Sequence, residues 1–290
     1  MTTKKSLWSK YWLWIIIIIP IGFFGNFNTD TLTVNNYNGE LEVYFFDVGQ
    51  GDATLFRGKD FTILIDAGRH DNNDVIPYLK SLGISSIDLL VGTHPHADHI
   101  GQMDDIINTF PVKEVWLSGD IQASETFENL INAIENNNLT YYEPRAGEKF
   151  KISSIDIIVL NPSTLTGDLN DDSISLLLQY GSVKFLLTGD TEAAGERRIL
   201  DSNINIEADI FQAGHHGSNT SNTSAFLDAV NPEIVIYSAG IDNPYGHPHD
   251  EVIERMINKN ITIYGTDIDG TIKVTSDGNT YDINTNYDGK

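Results

Sequence analysis

Three histidines and an aspartate fall within six residues of the stretch Thr93-His94-Pro95-His96-Ala97-Asp98-His99. His94 and His96 are two apart, so an extended strand end directs both imidazoles to the same side. Asp98 and His99 follow, just ahead of Ile100, Met103, Ile106, Ile107 and Phe110, whose spacing is helical. Two imidazoles on one side and a carboxylate plus an imidazole on the other can divide between two adjacent divalent cations. Such a pair activates a water and stabilises a reacting anion.

Other strand ends carry similar polar tips. Leu64-Ile65-Asp66-Ala67-Gly68 is an apolar strand ending in a carboxylate. A buried Asp66 needs hydrogen-bond partners, and it can hold backbone or a ligand histidine from behind. Phe46-Asp47-Val48-Gly49-Gln50-Gly51-Asp52-Ala53 reads as a hairpin-like turn, with Asp47 a second candidate for such support. Asp190 follows the apolar run 183–187 and precedes a helix starting near Glu192. It is placed to bridge two metals, or simply to cap that helix. His215 and His216 sit between Gly214 and Gly217 after a strand over 208–211. His247 and His249 precede a helix over 250–259. Of the eight histidines, all but His70 lie in these three clusters.

The elements that must position these residues alternate. Strands are expected over 41–45, 61–65, 87–91, 112–117 and 150–160, with helices over 71–82 and 124–135 between them. The runs 173–180 and 183–187 join at Gly181-Ser182 as a hairpin. Strands over 233–237, 261–265, 271–275 and 280–283 complete the chain. This rhythm of strands and helices indicates an α/β class.

Forty-one acidic residues against 18 basic ones give a net charge of −23. Lys4, Lys5 and Lys10 precede every acid, so the rest of the chain carries 15 basic and all 41 acidic residues, a net −26. Such a body repels long duplex DNA. There is no cysteine, which excludes disulfides, thiolate zinc sites, thiol nucleophiles and a lipoprotein anchor. Residues 1–29 read as a signal or membrane anchor: the lysines are followed by an apolar run over 11–24 that includes Ile15 to Ile19, with Trp8, Trp12 and Trp14 at an interface. An uncleaved anchor is favoured over a cleaved signal, because no small-residue cleavage site follows. Either places the body outside the cytoplasmic membrane. Residues 30–39 read as a linker and 40–290 as the functional domain.

The order Asp66, His94-x-His96-x-Asp98-His99, Asp190, His215 resembles the metallo-β-lactamase superfamily. The runs 46–53, Ala213-Gly214-His215-His216-Gly217-Ser218 and Tyr245-Gly246-His247-Pro248-His249 are similar to the metallo-β-lactamase domain of the ComEC/Rec2 competence proteins. That resemblance implies a four-layer αββα sandwich with two divalent metal ions, zinc first and manganese as alternative, at the strand tips of one edge. His94 and His96 would bind metal 1, and Asp98 and His99 metal 2. Asp190 would bridge, and His215 would complete metal 2 with His216 as the competing ligand. The superfamily's further histidine of metal 1 is missing. Asp168-Leu169-Asn170-Asp171-Asp172 stands there, making Asn170 or Asp171 the substitute. Asp98, His216 and His247 are then the candidates for catalysis, the histidines aiding a leaving group or holding a phosphate oxygen. The Gly214–Ser218 turn would offer amide and hydroxyl donors.

The function expected is metal-dependent hydrolysis of a phosphate ester: single-stranded nucleic acid, a nucleotide or a wall polymer. No stable protein partner is implied. The alternatives are an esterase or lactonase, a teichoic-acid phosphorylcholine esterase, or a non-catalytic module of a DNA-uptake or envelope assembly.

Overall fold

Most strands of this chain are apolar on both faces, which requires that both faces be covered. In the computed structural model, residues 40–71 and 74–285 are described. The expected anchor and linker lie outside the described residues. Among the described residues, no helix is long and apolar enough to cross a membrane.

The first sheet contains β1 (Leu41–Phe45), β2 (Thr54–Arg57), β3 (Thr62–Ile65), β4 (Ile87–Gly92), β5 (Val112–Leu117) and the short β6 (Tyr141–Tyr142). The second contains β7 (Lys149–Ile152), β8 (Ile155–Asn161), β9 (Ser175–Tyr180), β10 (Val183–Leu187), β11 (Ile210–Gln212), β12 (Ile234–Tyr237) and β13 (Thr262–Gly265). The chain then returns to the first sheet as β14 (Ile272–Ser276) and β15 (Tyr281–Asn284), giving the order β15-β14-β1-β2-β3-β4-β5-β6 beside β13-β12-β11-β10-β9-β8-β7.

Three apolar cores separate four layers. Val43, Phe45, Phe56 and Ile63 of the first sheet meet Ile157, Leu176, Leu178 and Phe185 of the second. Phe56 and Phe185 touch edge to face at 5.3 Å. The other face of the first sheet, with Tyr44, Leu55, Leu64 and Leu90, packs on α1 (Val75–Ser81), α3 (Met103–Thr109) and α4 (Glu125–Asn136). The short helix α2 (Ala97–Ile100) lies just before α3. The outer face of the second sheet, with Leu177, Leu186 and Phe211, packs on α5 (Ala193–Asp201), α6 (Ser224–Val230) and α7 (Asp250–Ile257). A final short helix, α8 (Thr266–Asp269), precedes β14. The αββα sandwich expected from the resemblance is therefore present. Each buried aliphatic or aromatic side chain of these cores contributes about 1.5–3 kcal/mol relative to exposure.

Strand direction explains where the polar tips meet. β3, β4 and β5 are mutually parallel, and so are β10, β11, β12 and β13. The segments that follow β3, β4, β10, β11 and β12 carry Asp66, the His94–His99 run, Asp190, His215-His216 and Ser238 to one edge of the sandwich. β9 runs antiparallel to β10, so the segment 170–173 that enters it lies at the same edge.

Candidate metal centre

Asp66 anchors the first cluster. It is buried, and its backbone is left-handed at φ 59°. Thr93 donates its amide to Oδ1 and its hydroxyl to Oδ2, both at 2.8 Å. His99 Nδ1 lies 2.8 Å from the same Oδ2. The Thr93 oxygen is also 3.2 Å from His94 Nδ1. Asp66 thus orients His99 directly and His94 through the Thr93 hydroxyl, leaving each Nε2 lone pair facing inward.

The second cluster comes from the β11 end. His215 and His216 both adopt left-handed backbone, at φ 52° and 55°. Such conformations in non-glycine residues cost about 1–3 kcal/mol each and collect at functional sites. His216 is buried, and its Nδ1–H donates to the Ser238 carbonyl at 3.0 Å, so its Nε2 is also free to coordinate. That Nε2 lies 3.4 Å from Asp98 Oδ2 and 3.7 Å from Asp190 Oδ1. Asp190 sits between the clusters: its Oδ1 is 3.1 Å from His99 Nε2, and its Oδ2 is 3.6 Å from both His94 Nε2 and His215 Nε2.

Asp52, not singled out by sequence reasoning, joins this group. Its Oδ1 is 3.4 Å from His216 Nδ1, and its amide donates to the Asp98 carbonyl at 3.1 Å. The approach depends on Gly51, where a Cβ would stand 2.4 Å from the Asp98 oxygen. The pair of glycines in the 46–53 turn was the available signal. Asp47, by contrast, stays within its own turn, where Oδ1 accepts from Gly49 N–H at 3.2 Å.

Among the described residues nine buried side-chain atoms have no hydrogen-bond partner, and four of them converge here: His99 Nε2, His216 Nε2, Asp190 Oδ1 and Asp52 Oδ1. Unmet buried polar atoms cost about 1–3 kcal/mol each, so convergent ones ask for a shared partner. Ligand atoms of Asp52, His99, Asp190 and His216 lie within 4.8 Å of one another, and those of His94, His96 and Asp190 form a second such group. Imidazole and carboxylate donors crowded this way suit divalent metal ions. The electrostatics agree. Burial disfavours charge on His99, yet Asp190 and Asp66 outweigh it and hold its pKa well above the ordinary value. Burial of His216 is overcome in the same way by Asp190 and Asp52. His94, buried and beside His99, is pushed well below the usual imidazole range. The carboxylates therefore demand positive charge at this spot, which a cation or a pair of protons can supply.

The remaining sequence candidates divide. Asn170 lines the cavity above these clusters, with its Oδ1 buried and unpartnered. Asp171 is turned away: its Oδ1 accepts from Glu192 and Gly195 N–H at 3.1 and 2.7 Å and caps α5. The cavity holds about 330 Å³ and is also lined by Arg69, His96, Asp98, Tyr245 and His247. His247 stacks between Tyr245 and His216, at ring separations of 5.7 and 6.0 Å. Asn243 builds that loop, its Oδ1 accepting from the amides of Tyr245 and His247. His249 is not among the residues lining the cavity; its Nδ1 accepts from Asn219 N–H at 3.0 Å. The turn 214–218 does not supply the expected ring of donors, because the amides of Gly214, His215 and Ser218 are bonded within the protein.

Residues 46–240 match the Metallo-beta-lactamase superfamily. ComE operon protein 3 of Bacillus subtilis (strain 168) is 30% identical over 259 residues, covering 81% of this chain and 33% of that protein. Competence protein ComA of Neisseria gonorrhoeae is 29% identical over 240 residues, covering 81% and 32%. The chain thus spans about a third of the length of these relatives. The metallo-beta-lactamase fold protein YhfI from Bacillus subtilis superposes with a TM-score of 0.52 at 12% identity, covering 78% of this chain and 96% of that one. The family match extends over most of both sheets, and the layering and edge site accord with it: the chain belongs to the metallo-β-lactamase superfamily.

Proposed function

We propose that this hydrolase is a two-metal phosphodiesterase that acts outside the cytoplasmic membrane on single-stranded nucleic acid, nucleotides or anionic wall polymers. The observation that carries the substrate class is Arg69. In a body with a net charge of −26, it is the single lysine or arginine among the residues lining the cavity. Its Nε and Nη2 pair with Asp71 at 3.0 and 3.1 Å, which leaves the Nη1 end of the guanidinium to meet a ligand. The N–H groups there suit a phosphate oxygen.

His99, His216 and Asp190, with Asp98 beside His216 Nε2, would hold one ion, while Asp52 supports His216 from its Nδ1 side; His94, His96 and Asp190 would hold the other. The nitrogen-rich set favours zinc, while the carboxylates also admit manganese. Bound divalent cations supply Lewis acidity and a water that loses its proton near neutral pH. The protein's own groups do the rest. Asp190 keeps the two clusters at fixed separation. Asp98 faces both His216 and the cavity, where it orients the attacking group. Burial and the charges of His216 and His215 push His247 down to about 4. His247 is thus neutral at pH 7, and it holds a phosphate oxygen by N–H donation rather than acting as an imidazolium acid. Tyr245, 56% exposed beside it, offers a ring face to a base or other planar group.

The test is turnover of bis-(p-nitrophenyl) phosphate against p-nitrophenyl acetate with zinc or manganese, each above the metal-only background. The phosphodiester should be cleaved faster. Cleavage of the acetate alone would put an esterase in place of this reading.

A further inference from the structure

The two oxygens of Asp190 sort four imidazoles into two pairs. Oδ1 faces His99 and His216, while Oδ2 faces His94 and His215. Adjacent residues therefore turn to opposite sides of one carboxylate, which the consecutive left-handed backbone of His215 and His216 makes possible. His215 is not a loose surface ring. Its Nδ1 lies 3.3 Å from Glu192 Oε1 and 3.2 Å from Thr220 Oγ1, so its Nε2 lone pair is presented to Asp190 Oδ2. The same Glu192 Oε1 accepts from Asn170 Nδ2 at 3.3 Å. Glu192 is positioned in turn by Asp171, which takes its amide. Asn170 and Asp171 occupy the segment where the superfamily's third histidine of metal 1 is absent.

We propose that His215, oriented by Glu192, is the third imidazole of the His94–His96 site, leaving His216 alone to complete the His99 site. This assignment rests on the reading of the cluster as a two-metal centre. His215 replaces the missing histidine from the opposite side of the site. Glu192 is a positioning residue that acts through His215 Nδ1.

Cobalt(II) titrations of the chelator-treated full chain, followed by calorimetry and the visible absorption band, test it through two backgrounds. With His94→Ala, the remaining ion is the one on His99. Adding His215→Ala should leave its affinity unchanged within about twofold, as for independent sites. With His99→Ala, the remaining ion is the one on His94. Adding His215→Ala should weaken it by at least about 10-fold, and adding Glu192→Ala instead, which removes the acceptor at His215 Nδ1, should weaken it by about 10–100-fold but by no more than His215→Ala does. If His99→Ala fails to fold, His216→Ala provides the same background. The reverse pattern, with His215→Ala harming only the His99 ion, overturns the assignment, as does a His215→Ala single variant that binds both ions normally. A wild-type chain that takes up no cobalt overturns the metal-centre reading itself, an outcome visible before any substitution is made.

Discussion

Asp66→Asn isolates the support behind the metal centre, because it conserves shape while removing one acceptor. In the native site Oδ1 accepts from the Thr93 amide, and Oδ2 serves both the Thr93 hydroxyl and His99 Nδ1. An amide has one acceptor oxygen. If that oxygen stays on the Thr93 amide, the NH₂ group confronts His99 Nδ1–H; if it flips, the NH₂ confronts the Thr93 N–H. Either way one buried donor loses its partner, at about 1–3 kcal/mol. A domain of this size shifts its Tm by about 2–4 °C per kcal/mol, so the midpoint should fall by about 2–12 °C. The first arrangement also releases the His99 ring, and metal affinity should drop by about 10–100-fold. Thermal unfolding with and without zinc, together with a metal titration, reads both quantities. If the D66N chain keeps the wild-type midpoint and affinity, Asp66 does not orient His99 and the tie seen here has no energetic content.

Asp190→Ala should reduce hydrolysis to the metal-only background while the far-ultraviolet circular dichroism is preserved. Near-normal turnover would reduce Asp190 to a strand-end residue. His99 and His216 titrate above the ordinary imidazole value without metal, so their stabilising contribution is full below about pH 6.5 and is lost as pH rises through their folded values. The Tm of chelator-treated protein should therefore fall from pH 6 to alkaline pH, and zinc uptake at neutral pH should release protons, detectable by calorimetry in buffers of different ionisation enthalpy. A flat Tm and buffer-independent heats would contradict this. Tyr245→Ala should raise KM for a dinucleotide more than for bis-(p-nitrophenyl) phosphate and leave kcat within a few-fold; equal effects on both would remove the stacking role. Protease added to intact protoplasts should digest the body, and protection until lysis would reverse the proposed topology.

Much of the fold was legible because each layer leaves its own period. β5 and β10 fall on the expected ranges 112–117 and 183–187, and Ser124 caps α4 by accepting from Phe127 N–H. The misreadings have local causes. The expected strand 150–160 is a hairpin of β7 and β8, turned at Ser153 with φ 51°, a residue that does not advertise left-handed backbone. The expected helix from Ile100 is two pieces, interrupted where Gln102 reaches to the Val75 amide and the Arg69 carbonyl. Among site residues, the histidines and Asp190 stood out by type and position at strand tips. Asp52 did not, because its approach to Asp98 exists only once the 46–53 turn folds over α2. Nor can spacing alone tell which side of a carboxylate His215 and His216 will face, since their backbone breaks the alternation that spacing assumes.

The ligands come from opposite halves of the sandwich. His94, His96, Asp98 and His99 extend from the first sheet, and Asp190, His215 and His216 from the second. An ion held by both sets is a rivet through two slabs that otherwise adhere by their apolar faces and by the chain's return through β14 and β15. At a free-ion concentration about a hundred times Kd, that rivet adds about 2.7 kcal/mol against separation. The connection between β6 and β7 includes exposed positions. Two fragments severed there would each carry part of one coordination set, and β14 of the second would still pair with β1 of the first. Metal would then add to strand pairing in their reassembly, so free divalent cation should lower the concentration at which the fragments combine.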